Sequence, residues 1–216
     1  IFIIISLVLF IYVLQLTDEK KALNDLLIND QVINTGESFD FNNLVDVRDN
    51  IRQANLLVKN VMQDKGIPIA ENFGSAVIYK KVDNSYYSLT NYHVISKNNY
   101  FGNYIMITTF NDEELVAEVV ALDEQYDLAV IRFNSDLSYI PMIFNTDVVQ
   151  ANDFVLACGN PNKTKDIVTF GNIIDKLVLT TYPDAVVHHN ALVELGSSGG
   201  GLYNINGDLI GINTWI

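Results

Sequence analysis

The sequence of 216 residues contains a single cysteine, only four prolines and few basic residues. With Cys158 alone, the chain cannot form an intrachain disulfide, so its stability must come from a packed core. Cys158 stands in an apolar run, which predicts a small buried side chain and not a nucleophile. The three histidines, two of them adjacent at His188 and His189, do not form a ligand set for a metal. No metal or other cofactor is expected.

The charge of the chain argues against a nucleic-acid partner. Its 13 Lys and Arg residues are scattered among 26 Asp and Glu residues, and the formal net charge is −13. A phosphate backbone is bound by clustered basic side chains, which this sequence lacks.

The composition favours β-structure, because Val, Ile, Tyr, Phe and Thr recur in short runs separated by Gly, Asn and Asp. These runs fall into two groups of about six, which predicts two packed antiparallel barrels, although a single sandwich would give a similar pattern. The first group is 54–62, 72–80, 85–90, 103–110, 114–122 and 128–133, and the second is 153–158, 166–170, 172–179, 185–189, 201–204 and 209–215.

The N-terminal segment is strongly apolar, with no charge before Asp18. Residues 1–16 are somewhat shorter than the about 20 residues of a full membrane span, and residue 1 is not Met. We therefore expect a truncated, uncleaved transmembrane helix. A cleaved signal peptide is the alternative, but it lacks a small-residue cleavage site, and a buried core helix is a third reading. Residues 17–53 are predicted to form a polar stalk with short helices around 19–28 and 41–53.

Three local signals carry candidate chemistry. Glycines surround Ser198 in the segment 196–200, where a tight turn can expose the hydroxyl and direct N–H groups toward an oxyanion. His93 follows a hydrophobic strand, and Asp127 precedes another. Each signal alone is compatible with an ordinary turn or strand end. Together they supply the nucleophile, the base and the orienting carboxylate of a catalytic triad.

These segments resemble trypsin-like serine proteases, and most closely the HtrA/Deg-type bacterial branch. The matching motifs are Gly-Ser-Ala-Val-Ile at 74–78, Thr-Asn-Tyr-His-Val-Ile at 90–95, Asp-Leu-Ala-Val at 127–130, Ala-Cys-Gly-Asn-Pro at 157–161, Gly-Ser-Ser-Gly-Gly at 196–200 and the closing hairpin at 206–213. The sequence departs from the usual pattern at Leu195 and Gly201, where Pro is common, and at Ser197, where Asn or Asp is usual.

The resemblance covers about residues 54–216 and implies an all-β peptidase domain of two packed six-stranded barrels, 54–140 and 141–216. Because the chain stops at Ile216, we expect the second barrel to be incomplete at its C-terminus. The resemblance implies a serine endopeptidase acting through His93, Asp127 and Ser198, with an acyl-enzyme intermediate. It also implies an oxyanion hole formed by Gly196, Ser197 and Ser198. The implied substrate site favours small or medium apolar P1 residues and consists of Leu192, Val193, Asn213, Thr214 and Trp215.

Polypeptides are the expected substrates, and the resemblance is compatible with a homo-oligomer. With the apolar N-terminus, it predicts a single-pass protein of the cell membrane whose protease domain is extracellular. The alternative is a catalytically inactive homologue, a membrane-anchored module that binds peptides by strand addition. That alternative predicts the loss of a triad residue, and none is lost. A non-enzymatic anchored β-domain with accidental motif matches is a third hypothesis.

Overall fold

The computed structural model describes residues 41–97, 100–101, 104–179 and 184–214. The predicted anchor at 1–16 and most of the predicted stalk lie outside these residues. Within the described ranges, no helix is both long and apolar enough to cross a membrane. The short helix predicted within 41–53 is confirmed as helix α1, Phe41–Ala54, which buries Leu44, Val47 and Ile51.

The first group of strands is confirmed as a barrel. It contains β1 (Asn55–Asp64), β2 (Ile67–Val82), β3 (Ser85–Thr90), the short helix α2 (Tyr92–Ile95), the two-residue strands β4 (Ser96–Lys97) and β5 (Tyr100–Phe101), and then β6 (Tyr104–Thr108), β7 (Glu114–Asp123) and β8 (Leu128–Asn134). Six of these strands close into a barrel in the order β1–β2–β3–β8–β7–β6, with antiparallel pairing throughout.

Alternation along the strands fills the first barrel. On β8, Ala129, Ile131 and Phe133 are buried while the residues between them are partly exposed. This period of two is the pattern expected for a strand with one face on the core. The rings of Phe133 and Tyr86 stack with centroids 5.3 Å apart, which places aromatic side chains of β3 and β8 in one core.

The second group differs from the prediction. It contains β9 (Phe154–Gly159), a 3₁₀ turn (Pro161–Lys163), β10 (Ile167–Val178), β11 (Ala185–His189), β12 (Gly201–Asn204) and β13 (Leu209–Ile212). These five strands form a sheet in the order β11–β10–β9–β12–β13. In the described residues the second group is therefore an open five-stranded half-barrel and not a closed six-stranded barrel, with β11 paired to β10, and β13 paired to β12 and bridged at Leu209 to Phe144.

The strand count falls because the runs 166–170 and 172–179 form one strand and not two. Gly171 between them indicated a turn, but it pairs with Val155 inside the continuous strand β10. A Cβ atom at Gly171 would lie 2.3 Å from the backbone nitrogen of Ala191. The glycine therefore allows a close approach of another chain segment and does not end the strand.

Cys158 lies at the centre of the second sheet and is almost fully buried. Burial raises the pKa of its thiol far above the ordinary value. The prediction of a small buried side chain is confirmed.

Candidate active site

His93 and Asp127 meet at one end of the first barrel. Strands β3 and β8 pair with Thr90 opposite Ala129, so the residues just beyond β3 and just before β8 are neighbours. His93 lies on α2 directly after β3, and its Nδ1 is 2.7 Å from Oδ2 of Asp127. The backbone N–H of His93 also donates to Oδ1 of Asp127, at 2.9 Å. The carboxylate therefore contacts both the imidazole and the backbone of one residue.

The backbone around Asp127 is held in place as well. Asp127 has a left-handed conformation with φ 52°. Its carbonyl oxygen accepts hydrogen bonds from the side-chain amide of Asn91, at 2.9 Å, and from the backbone N–H of Tyr92, at 3.1 Å. These contacts tie the segment before β8 to the segment after β3, which fixes the carboxylate relative to the imidazole.

Thr214 adds a hydrogen bond to the carboxylate that the sequence did not indicate. Its hydroxyl donates to Oδ2 of Asp127 at 2.6 Å. Burial alone would raise the pKa of the Asp127 carboxyl, but the hydrogen bonds from His93 and Thr214 outweigh this effect and hold the pKa below its ordinary value. Asp127 is therefore an ionised carboxylate at neutral pH, with a side chain that is only 14% exposed.

The serine loop, residues 194–199, is a tight turn that depends on glycine. Gly196 and Gly199 have φ values of 101° and 87°, in the left-handed region. A Cβ atom at Gly199 would lie 2.1 Å from the carbonyl oxygen of Ser75, and one at Gly196 would lie 2.5 Å from that of Asn160. Neither position can carry a side chain, so the glycines noted in the sequence are required by both conformation and space.

Two backbone N–H groups of the serine loop make no backbone hydrogen bond to the residues that the structure describes. The carbonyl of Leu195 accepts a hydrogen bond from the N–H of Asn162, at 2.8 Å. Because C=O and N–H point in opposite directions across a trans peptide, the N–H of Gly196 points away from Asn162. Within the described part of the chain, the N–H groups of Gly196 and Ser198 have no backbone acceptor.

The backbone N–H of Ser197, in contrast, already has an acceptor within the turn. It donates to the carbonyl of Glu194 at 2.9 Å and so closes the turn. The Ser197 N–H is therefore already used within the turn, and the part of Ser197 in an oxyanion hole stays a prediction.

Ser198 is connected to Asp127 through Thr214. Among the residues that the structure describes, no hydrogen bond joins the Ser198 hydroxyl to His93. The Oγ of Ser198 instead lies 3.5 Å from the carbonyl oxygen of Thr214, the residue whose hydroxyl binds Asp127. Thr214 therefore links the two halves of the candidate triad.

A cavity of about 720 Å³ adjoins the site and is lined mainly by apolar side chains from both sheets. It includes four of the five predicted substrate-binding residues, namely Leu192, Val193, Asn213 and Thr214. Trp215 lies outside the described residues. Leu192 is 66% exposed, whereas Asn213 is buried and its backbone binds Gly199 and Gly200. The structure thus gives Asn213 a part in holding the serine loop.

The adjacent histidines have different surroundings. His188 is exposed, and its Nδ1 lies 3.0 Å from Oδ1 of Asp175. Both histidines line the cavity, and burial lowers the pKa of the His189 imidazole. No group of three or more His, Cys, Asp or Glu side chains in the described ranges is arranged to hold a metal ion.

Comparisons with known proteins agree with this architecture. The profile of the family described as "Trypsin-like peptidase domain" matches residues 74–212. The chain is 34% identical over 134 residues to a probable periplasmic serine endoprotease DegP-like of Chlamydia trachomatis serovar D, covering 60% of this chain and 26% of that protein. It is 34% identical over 152 residues to the periplasmic pH-dependent serine endoprotease DegQ of Escherichia coli strain K12, covering 68% and 32%.

Among solved structures, the HtrA-type protease AlgW with tripeptide matches with a TM-score of 0.66 and 29% identity, covering 79% of this chain and 53% of that one. The chain spans about a quarter to a third of the length of the two curated relatives. The family match covers well over half of the chain and includes His93, Asp127 and Ser198. The chain therefore belongs to the trypsin-like peptidase family, in its HtrA-type branch.

Proposed function

We propose that this chain is a serine endopeptidase in which His93, Asp127 and Ser198 hydrolyse peptide bonds through an acyl-enzyme intermediate. The observation that carries the proposal is the contact of both Asp127 oxygens with His93, at 2.7 Å to Nδ1 and 2.9 Å to the backbone N–H. A carboxylate held in this way keeps the proton on Nδ1 and leaves Nε2 as the acceptor that a base requires.

In the proposed reaction, the Ser198 hydroxyl leaves the Thr214 carbonyl and donates to Nε2 of His93. Catalytic hydrogen bonds are often long in the absence of substrate and shorten when it binds. Ser198 Oγ then attacks the scissile carbonyl carbon while its proton moves to Nε2. The carbonyl π electrons move to the oxygen, which the N–H groups of Gly196 and Ser198 stabilise.

Collapse of this tetrahedral species breaks the C–N bond, and the leaving amine takes the proton from Nε2. Water then attacks the acyl-enzyme by the same route and releases Ser198. Asp127 stays ionised throughout and stabilises the imidazolium that forms twice in the cycle. The lowered pKa of its carboxyl is consistent with this role.

The apolar cavity supports a preference for small or medium apolar P1 side chains. Leu192 and Val193 line it, and none of the described residues that line it is acidic. A Lys or Arg side chain would therefore find no carboxylate within this cavity.

We further propose that 54–216 is the peptidase domain and that the substrate site extends to Trp215. We also propose that residues 1–16 hold this domain at the outer side of a membrane.

An active-site serine probe tests the triad. A fluorophosphonate should label Ser198 of the 216-residue chain, as located by peptide mapping, and should not label a Ser198→Ala variant. A Ser88→Ala variant is the matched control, because Ser88 is a buried serine of β3 whose hydroxyl makes no hydrogen bond within the described residues. A folded wild-type chain that is not labelled and hydrolyses no peptide would refute the proposal and favour the inactive peptide-binding homologue.

A further inference from the structure

Ser75, on strand β2, holds the serine loop at two points. Its backbone N–H donates to the carbonyl oxygen of Ser198 at 2.8 Å. Its hydroxyl lies 2.7 Å from the carbonyl oxygen of Gly196. The two contacts stand on either side of Ser197, so one residue of the first barrel binds the loop of the second sheet just before and at the nucleophile.

The direction of the hydroxyl hydrogen bond follows from counting donors and acceptors. Asn160 donates to Ser75 Oγ twice, through its backbone N–H and its side-chain amide, each at 2.9 Å. A serine hydroxyl has two lone pairs and one proton. With both lone pairs occupied, the proton must point to the Gly196 carbonyl. Ser75 is fully buried, so water does not compete for these positions.

Asn160 is itself held in place. Its side-chain amide also donates to the carbonyl of Leu56, at 2.8 Å. Its side-chain oxygen accepts from the amide of Asn55 and from the backbone N–H of Asp166, each at 3.0 Å. Asn160 is fully buried, and its contacts extend from β1 to the segment before β10. The orientation of Ser75 is therefore determined by a buried network that joins both sheets.

This network acts on Gly196, one of the two glycines of the serine loop. Gly196 has no side chain and a φ of 101°, so its two flanking peptide planes could turn easily without external contacts. The plane before it is fixed by Asn162, which binds the Leu195 carbonyl. The plane after it is fixed by Ser75, which binds the Gly196 carbonyl.

We propose that Ser75 is a positioning residue whose hydroxyl, held by Asn160, keeps the serine loop in the conformation that directs the N–H groups of Gly196 and Ser198 toward the carbonyl oxygen of the substrate. This inference rests on the proposed peptidase function for its effect on catalysis. It adds to the triad a residue of the first barrel that acts through the serine loop and does not touch the substrate.

A pair of variants that differ in the hydroxyl alone tests the proposal. Ser75→Thr keeps the hydroxyl, and Ser75→Val replaces it with a methyl group in a side chain of nearly the same shape. In the full chain, Ser75→Val should have a kcat about tenfold or more below that of Ser75→Thr, with KM changed by less than about threefold. Removal of an oxyanion donor lowers kcat by about 10²- to 10³-fold. The loss expected here is smaller, because both donors remain and are only less well placed.

The same pair at Ser88 is the matched control. Ser88 is a fully buried serine on the neighbouring strand β3, and no hydrogen bond joins its hydroxyl to the serine loop. Ser88→Thr and Ser88→Val should have the same kcat. If the two β-branched variants at position 75 do not fold, Ser75→Ala, which adds no bulk, is compared with the wild type.

Hydrogen exchange supplies a readout that does not depend on catalysis. Amides of residues 194–199 should exchange faster in Ser75→Val than in Ser75→Thr, while β7 and β8 exchange equally in both. Equal kcat and equal exchange in the two variants would overturn the proposal, as would an equal loss in both. If exchange differs while the wild-type chain hydrolyses no peptide, the positioning role stands and the proposed peptidase function is wrong.

Discussion

Replacing Asp127 by Asn should remove most activity while leaving the chain folded, for a reason that follows from three contacts. In the structure, Oδ1 accepts the backbone N–H of His93, whereas Oδ2 accepts from His93 Nδ1 and from the Thr214 hydroxyl. All three groups donate to the carboxylate. An amide has only one oxygen, so it cannot accept at both positions.

The amide then has two orientations, and each is unfavourable. With its oxygen toward the backbone N–H of His93, its NH₂ group faces Nδ1, which must become the unprotonated nitrogen. Nε2 then carries the proton and cannot accept one from Ser198. In the other orientation, the NH₂ group faces the backbone N–H of His93, and two donors meet in a site where the side chain is mostly buried. An unsatisfied buried donor costs about 1–3 kcal/mol, so the first orientation should dominate.

We expect kcat to fall by about 10⁴, the magnitude found for this substitution in a serine protease with the same triad. The assay is steady-state hydrolysis of a peptide with an apolar P1 residue, with the melting temperature as a check on folding. Asp175→Asn is the control, since Asp175 contacts the exposed His188 outside the proposed triad. A loss of less than about tenfold in folded Asp127→Asn would show that Asp127 does not set the His93 tautomer.

Three further results are expected. Thr214→Val should lower the free energy of unfolding at pH 7 by about 1–2 kcal/mol, because a hydrogen bond to a carboxylate is lost. The lowered pKa of Asp127 stabilises the fold above the pKa of the unfolded chain, and this contribution is lost as the pH falls through the folded pKa. The difference in the free energy of unfolding between wild type and Thr214→Val, measured by urea unfolding, should therefore shrink below about pH 4. An equal difference at pH 7 and pH 3 would contradict this. Burial lowers the pKa of His189 and so favours its neutral form in the folded protein. The contribution of the neutral imidazole to the stability of the fold is present above about pH 6.5 and is lost as the pH falls below that value. The melting temperature of the wild type should therefore fall more between pH 7.5 and pH 5 than that of His189→Gln, and parallel curves would show that His189 titrates as in the unfolded chain. The Cys158 thiol should not react with a disulfide reagent at pH 8 in the folded protein and should react fully in guanidinium, whereas fast reaction in the native state would mean that the second sheet opens readily.

Features that depend on neighbouring residues could be predicted from the sequence. The short runs of β-branched and aromatic residues predicted the six barrel strands, because such side chains favour strands and the Gly, Asn and Asp between them favour turns. The segments around His93 and Asp127 could be paired on motif and order, and the structure brings those two side chains to 2.7 Å. The glycines around Ser198 were also visible, and the structure gives both Gly196 and Gly199 positive φ values.

Features that depend on distant segments were decided by the tertiary structure. In the sequence alone, Gly171 indicates a turn between two strands. Its actual role is to allow the close approach of Ala191, which is a contact between separate parts of the chain that the local sequence does not reveal. The Thr214 hydroxyl reaches a carboxylate 87 positions away, and the Ser75 hydroxyl reaches a carbonyl 121 positions away. Residue type and local period carry no information about which donor meets which acceptor across such separations. Only the packing of the second sheet against the first barrel determines those pairs, because it brings β2, the serine loop and the end of β13 into one buried region.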